Sequence, residues 1–370
     1  MSLSPHAEKI MLQVIAKYLR KGNMARCLRD LLPPADLSRE DRRQIADLMH
    51  EIVRWKKLYA FLMAEQGTAP SPEAYYSAAL TRTQEQAPAL PPEYRFSCSP
   101  YIARLFQQHL DWATYLNSTP PTTICINQNI ATLDHVLTRL QDGHLLVKKG
   151  RLNTAVLSMS SDLKNSSVIQ ERLAHVQDES SQLVAQIATE LGERIFDFCA
   201  GNGGKTLAMA SLGRNTKELV AYETDERRRD TLQRRCSEYQ AKATIGPLPL
   251  KHSFDVVLVD APCTGLGAAR RNPEAKYVED ADDFPQIQLS ILQDAAEYVK
   301  PEGFLLYVVC TITPEETSDV ISSFTSTAPY AIASVSLPSV SYLEKTNQGF
   351  FTAIPQGDLF FLSVLTRRGN

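Results

Sequence analysis

Arg194-Ile-Phe-Asp197-Phe-Cys199-Ala200-Gly201-Asn-Gly203-Gly204-Lys205-Thr206 reads as a short apolar strand, a glycine-rich turn and the opening of a helix. Glycines let backbone amides approach a ligand closely, and the helix amino terminus behind them favours an anionic group. Around this stretch the pattern is regular. A helix is expected over 180–191, and strands over 194–199, 219–223, 255–259 and 304–309, with helical stretches between most of them. Apolar strands alternating with helices predict a mainly parallel sheet covered on both faces, which binds ligands outside the carboxyl ends of its strands. Two extended apolar runs in 349–368, joined through Pro355 to Asp358, predict an antiparallel hairpin at the sheet edge.

Glu223 closes the next strand after the glycine turn and suits a ribose diol. Turn and acid together fit an adenosine-containing cofactor, a nicotinamide dinucleotide or S-adenosylmethionine alike. A further strand, Asp255-Val-Val-Leu-Val-Asp260-Ala-Pro-Cys263-Thr-Gly265-Leu-Gly267, delivers an acid and a thiol to the same edge, and Cys310 follows the strand over 304–309. A lone cysteine is usually a small buried hydrophobe. Two at neighbouring strand ends beside a glycine turn are expected to converge on one pocket.

Upstream, residues 4–62 read as helices. Ser4 before Pro5 is a cap and first-turn pair, with Leu12, Ile15 and Leu19 on one face until Gly22 stops the pattern. A second helix opens at Ser38, and Ile45, Leu48, Ile52, Trp55, Tyr59 and Leu62 form one stripe. Residues 67–92 gather proline, alanine, serine and threonine and read as a connector. A small α+β module should follow, with a helix over 102–116, a strand over 122–126, a helix over 133–140 and two strands within 145–158. We thus expect three domains: 1–90 helical with a linker, 91–165 α+β, and 166–370 an α/β Rossmann-like domain.

Hydrophobic residues are 44% and charged residues 22% of the chain, ordinary for a soluble globular protein. No apolar run is long enough for a membrane span, and the amino terminus lacks a signal-peptide pattern. Seven scattered cysteines match no metal or disulfide spacing, so neither a metal nor a disulfide framework is expected and a reducing cytoplasm fits. A formal net charge of −3 excludes bulk electrostatic coating of nucleic acid. Any phosphate-facing surface must be local: Arg54, Lys56 and Lys57; Lys148, Lys149 and Arg151; or Arg270 with Arg271.

At these motifs the chain resembles the Sun family of RNA cytosine-5 methyltransferases, the RsmB group in particular. Val176 to Ser181 looks like the entry to the family's catalytic domain. Gly203-Gly204-Lys205-Thr206 matches its first cofactor motif, and Glu223 with Arg228 the second. Asp260 to Gly267 and Arg270 to Lys276 follow the fourth, and Cys310-Thr-Ile-Thr-Pro314-Glu315-Glu316 resembles the sixth. Leu37 to Trp55 is similar to the group's NusB-like helical domain, and Ile124 to Asn127 to a strand of the module before the catalytic domain. The likeness spans nearly the whole chain. Departures are Asn202 where proline is common, no acid within Ala243 to Leu250 after the third strand, Val309 and Thr311 beside Cys310, and Leu359 in place of a glycine.

The resemblance implies methyl transfer from S-adenosylmethionine to carbon 5 of a cytosine, with Cys310 as nucleophile, Cys263 as the release cysteine and Asp260 at the polar edge of the base. It implies cofactor contacts from Asp197, Cys199, Ala200, Gly201, Gly203, Gly204, Lys205, Glu223, Arg228 and Asp260, and RNA contacts from Arg54, Lys56, Arg270 and Arg271. Lys205 is expected to lower the pKa of the Cys310 thiol. Ribosomal RNA is the expected substrate, transfer RNA the alternative, and a monomer the expected form. A DNA cytosine methyltransferase would attack with Cys263 and leave Cys310 without a role. The rivals are a non-catalytic RNA-binding or assembly factor and, resting on the glycine turn and Glu223 alone, a nicotinamide-dependent oxidoreductase.

Overall fold

The computed structural model describes residues 3–81, 90–213 and 216–368, so the centre of the expected connector, 82–89, lies outside the described residues. The chain divides into two compact units, Met1–Thr119 with Ala268–Asp280, and Pro120–Gly267 with Ala281–Asn370. Among the described residues no helix is long and apolar enough to cross a membrane.

The first unit is helical. Ser4 caps Pro5–Lys21 by accepting from the Ala7 amide, and Gly22, at φ +62°, ends it. The buried face is Ala7, Met11, Val14, Ile15 and Tyr18, whereas Leu19 is 39% exposed. Ile15 thus lies on the buried face as expected, whereas Met11 and Tyr18 take the places expected of Leu12 and Leu19. A helix not foreseen, Met24–Leu31, is capped by Asn23. Ser38 caps Arg39–Arg54, and the backbone at Trp55 (φ −119°, ψ 18°) breaks the expected continuous stripe, which resumes in Lys56–Glu65. Ile45, Ile52 and Tyr59 from that stripe are buried against Met11 and Ile15. The expected helix over 102–116 is two, Pro100–Gln108 and Leu110–Leu116, split at His109.

This helical unit runs to Thr119 instead of ending near residue 90, and it takes in 268–280 from the distant end of the sequence. Fully buried Lys276 is the reason: its ammonium donates to the carbonyl oxygens of Arg54 (2.8 Å) and Phe96 (3.1 Å) and to Asn117 Oδ1 (2.5 Å). Glu274 accepts from the Met24 amide, and the Tyr277 hydroxyl donates to the Val53 carbonyl.

The second unit opens with a four-stranded antiparallel sheet of β1 (Thr122–Ile126), β2 (Lys148–Lys149), β3 (Ala155–Ser158) and β4 (Ala174–Val176), in the order β2-β3-β1-β4. This α+β module therefore extends past residue 165. The main sheet follows with β5 (Arg194–Asp197), β6 (Glu218–Ala221), β7 (Thr244–Ile245), β8 (Phe254–Asp260), β9 (Val299–Val309), β10 (Tyr330–Ile332), β11 (Leu343–Lys345), β12 (Phe350–Thr352) and β13 (Phe361–Arg367). Its order is β11-β12-β13-β9-β8-β5-β6-β7, with β10 paired to β13. Pairing is parallel from β9 through β7 and antiparallel from β9 outward, so the expected Rossmann-like sheet and edge hairpin are both present.

Alternate residues of the central strands face opposite layers. Ile195, Val256, Leu258, Leu306 and Val308 pack under helices Glu179–Leu191 and Gly204–Leu212. Phe196, Val257, Val259, Leu305 and Tyr307 pack under Phe284–Ala296 and Ser318–Thr327. Each such side chain contributes roughly 1.5–3 kcal/mol on burial, which fixes the register and hence which residues arrive at the carboxyl edge. Strand order reverses at β5, with β6 and β7 on one side and β8 and β9 on the other, opening the crevice typical of such sheets.

Candidate active site

The turn after β5 uses its glycines in distinct ways. Gly201 and Gly203 sit at φ +56° and +83°, a region β-carbon-bearing residues rarely enter. A Cβ on Gly203 would meet Leu232 at 2.5 Å, so this glycine serves packing, whereas Gly201 faces open space. Asp197 ends β5 and is buried. Its Oδ2 accepts from Thr206 Oγ1 at 2.6 Å, its Oδ1 has no partner, and burial pushes its pKa up to about 7. Burial likewise raises the Cys199 thiol. Glu223, two residues past β6, is 8% exposed and accepts from the Asp225 amide at 2.8 Å. Arg228 lies exposed in the following helix, its amide held by Asp225. Arg229, not Arg228, reaches back, to the Glu223 carbonyl at 3.1 Å.

Across the crevice, Lys205 on the helix after the glycine turn meets Asp260 at the end of β8 at 2.6 Å. Burial opposes the Lys205 charge, but the Asp260 carboxylate outweighs it and raises the Lys205 pKa. The ammonium lies 5.1 Å from the Phe360 ring, and Cys310 is within its electrostatic reach. Cys263 and Cys310 converge as the two strand ends predict, with sulfur atoms 3.4 Å apart. The sulfur contact with Cys310, burial and nearby Glu316 together raise the Cys263 thiol well above its ordinary range.

Side chains scattered in sequence hold this pair. Glu316 is fully buried and accepts from the Thr264 amide (2.9 Å), the Thr264 hydroxyl, Thr313 Oγ1 (2.8 Å) and Gln288 Nε2 (3.0 Å). Gln288 also donates to the Pro262 carbonyl (2.9 Å), and Tyr307 donates to the carbonyl of Glu316 (2.8 Å). Gly267 threads between two backbones: its amide donates to the Cys310 carbonyl and its carbonyl accepts from the Leu359 amide, both at 3.0 Å. A Cβ there would lie 1.9 Å from the Leu359 oxygen. Sequence reasoning missed Gln288 and the roles of Glu316 and Gly267. Only the Pro314-Glu315-Glu316 run, beside Cys310, carried a signal.

The expected phosphate contacts fare differently. Arg270 is 2% exposed, its guanidinium donating to Tyr115 Oη at 2.7 Å and lying over that ring at 4.3 Å. Arg54 is 4% exposed and donates to the Arg270 carbonyl at 2.8 Å. Lys56 lies 4.4 Å from the Tyr277 ring and 5.5 Å from that of Tyr18, and burial lowers its pKa. Aromatic faces and backbone oxygens thus occupy these three cations, which corrects the expectation that they face phosphate. Arg271, like Lys56, is partly exposed.

Residues 184–366 match the family model of the 16S rRNA methyltransferase RsmB/F. Over 268 residues the chain is 30% identical to the ribosomal RNA small subunit methyltransferase B of Klebsiella pneumoniae (strain 342), covering 69% of this chain and 61% of that protein. The chain thus spans about three fifths of that relative's length. The crystal structure of PH0851 matches with a TM-score of 0.80 at 20% identity, covering 99% of this chain and all of that one. NSun6 from Pyrococcus horikoshii, determined with SFG, matches at 0.61 and 13%, covering 76% and 99%. Both structures share the fold. Residues 184–366, just under half of the chain, thus carry its likeness to the RsmB/F family.

Proposed function

We propose that this chain transfers a methyl group from S-adenosylmethionine to carbon 5 of a cytosine in small-subunit ribosomal RNA, through a covalent bond to Cys310. The observation that carries the reading is two sulfurs 3.4 Å apart beside the Lys205–Asp260 pair, at the crevice where β5 and β8 part. The names of the relatives and the family match support the reaction class. An adenosine cofactor suits the turn, where the open space at Gly201 and the unpartnered Asp197 Oδ1 leave both room and a polar atom for it. Gly201, Gly204 and Glu223 would hold it, and when bound it would supply the methyl group as an electrophile.

Carbon 5 of cytosine is too weak a nucleophile to react directly, so the Cys310 sulfur adds at carbon 6 and pushes electron density onto carbon 5. The attacking role of Cys310 rests on the resemblance of its motif to the family's sixth, while the adjacent sulfur and burial raise the Cys263 thiol. Asp260 meets the polar edge of the base, and its partner Lys205 supplies the local positive charge. After transfer, the proton on carbon 5 is removed and the bond from carbon 6 to sulfur breaks. Cys263, its sulfur 3.4 Å from that of Cys310, passes its proton to the departing Cys310 sulfur, and the thiolate so formed takes the proton from carbon 5.

A denaturing gel with labelled RNA and cofactor tests the assignment. Cys310→Ala should form no adduct and no product, whereas Cys263→Ala should accumulate a protein–RNA adduct. Adducts in Cys310→Ala alone would reverse the roles, and intact methylation in both variants would end the covalent mechanism. One observation favours a second reading, a non-catalytic RNA-binding or assembly factor: β7 is followed by Gly246-Pro-Leu-Pro-Leu250, with no acid for an adenine. Calorimetry separates the two, because no binding at millimolar S-adenosylmethionine would favour the factor.

A further inference from the structure

Arg54 and Arg270 are buried and Lys56 is stacked on tyrosines, so three of the four expected phosphate contacts are occupied in a chain with net charge −3. The helix Glu226–Glu238 carries five arginines, but Arg229, Arg234 and Arg235 are engaged with Glu223, Glu238 and Asn202. The third basic run is different. Lys148, Lys149 and Arg151 line a cleft of about 350 Å³, closed on its other side by Pro355 and Gln356 from the loop between β12 and β13. All three cations are exposed, and among the described residues their charged groups make no hydrogen bond or ion pair. The acid at the cleft, Glu179, is 1% exposed and spends its carboxylate on the Leu152 amide at 2.7 Å. Burial raises its pKa, while the Leu152 and Arg151 amides and the Arg151 charge pull it down.

Lysines on an edge strand such as β2 also guard against sheet-to-sheet pairing. That role explains neither Arg151, which lies beyond the strand, nor a cleft walled by a loop of the other sheet. Two exposed apolar side chains flank the cations: Leu146 (90%) before β2 and Met159 (71%) after β3, brought together by the bond from Ser158 Oγ to the Leu146 carbonyl. Cations beside apolar surface match the two parts of a nucleotide strand, phosphate and base face. The cleft also borders the reaction site. From Gln356 the chain needs three residues, about 11 Å at full stretch, to reach Leu359, whose amide holds Gly267 against Cys310, and Phe360 follows under Lys205.

Resting on the reading that this chain acts on RNA, we propose that the cleft of Lys148, Lys149 and Arg151 holds the phosphodiester backbone of single-stranded RNA flanking the nucleotide presented to the two thiols. The triple variant Lys148→Gln/Lys149→Gln/Arg151→Gln, compared with wild type, tests it through anisotropy of a labelled small-subunit ribosomal RNA fragment across a salt series. Affinity should fall by roughly tenfold or more, and the slope of log affinity against log salt should shrink by about 2, the value for three contacts on a single strand. KM for RNA should rise while kcat at saturating RNA and cofactor affinity stay unchanged. Lys148→Arg/Lys149→Arg should bind as wild type does. Equal affinity and slope in wild type and triple variant would overturn the cleft and leave the proposed function standing. No RNA binding by wild type would overturn both.

Discussion

On one side of the sheet's carboxyl edge, the turn after β5 is shaped by backbone: positive φ at Gly201 and Gly203, a helix start at Gly204, and support from buried His175, which is hydrogen-bonded to the Gly204 backbone. On the other side, the loops after β8 and β9 are shaped by side chains: Glu316 and Gln288 tie Pro262, Thr264 and Thr313 together around the two sulfurs. A turn held by backbone conformation tolerates a change such as Asn202. A buried hydrogen-bond network does not, because each lost partner leaves another polar group unsatisfied. Side-chain chemistry on the thiol side should therefore be the more sensitive to conservative substitution.

Gly267 breaks that division, since it is the backbone element of the thiol side. Gly267→Ala puts a Cβ 1.9 Å from the Leu359 oxygen, a clash with backbone that no rotamer relieves. We expect a loss of at least ~3 kcal/mol in denaturant unfolding, together with loss of methyl transfer. Wild-type stability in this variant would mean that the crossing of Gly267, Cys310 and Leu359 does not hold the site.

His175 tests the glycine-turn side through pH. Burial lowers its pKa to about 4 from an ordinary 6.5, and it bonds Gln177 while packing edge-on to Tyr239. Below pH 6.5 the unfolded chain takes up a proton that the folded chain refuses, so stability is full above 6.5 and falls until the pH reaches about 4. The loss should amount to about 3 kcal/mol. Urea midpoints measured from pH 7 to pH 4 should flatten in His175→Gln. An unchanged slope in that variant would shift the acid sensitivity to other groups.

Glu316→Gln keeps the shape of the thiol-side hub but presents an amide donor to donors already there. A cost of about 2 kcal/mol is expected, with kcat falling more than KM rises. Because Glu316 is one cause of the raised Cys263 thiol, the variant should also move the pH profile of Cys263 alkylation downward. A purely structural role would leave that profile in place.

Legibility in the sequence follows the same division. The glycine turn, the strand-end thiols and the parallel sheet were readable because each is local: strand periodicity, a run of glycines, a cysteine just past an apolar strand. Gln288 sits on a helix 22 residues before Cys310 and announces nothing. The cations were misread for the same reason. Arg54, Lys56 and Arg270 look like surface charge in a list of residues, yet they meet a backbone oxygen, the rings of Tyr18 and Tyr277, and the Tyr115 hydroxyl, all contributed by other segments. Neither those partners nor the transfer of 268–280 to the helical unit follows from sequence periodicity.

Glu223 sharpens the comparison with the smallest effect. Its carboxylate stands past β6, where a ribose of the bound cofactor is expected, but Oε1 already accepts from the Asp225 amide at 2.8 Å. Part of its hydrogen-bonding capacity therefore serves the start of the helix Glu226–Glu238, not a ligand. Glu223→Ala should weaken S-adenosylmethionine binding by about 1.5 kcal/mol, the lower end for a bond to a charged group, which is roughly a tenfold rise in Kd. Glu223→Asp should recover part of the loss if the carboxylate reaches the ribose, whereas a role confined to the turn predicts a drop in melting temperature with no change in calorimetric Kd. If the rise in Kd in Glu223→Ala matches that of a variant at Asp225, the turn and not the ligand explains it. A larger rise at Glu223, with the fold intact, assigns the carboxylate to the cofactor, and the glycine-turn side then has one side chain on which binding depends.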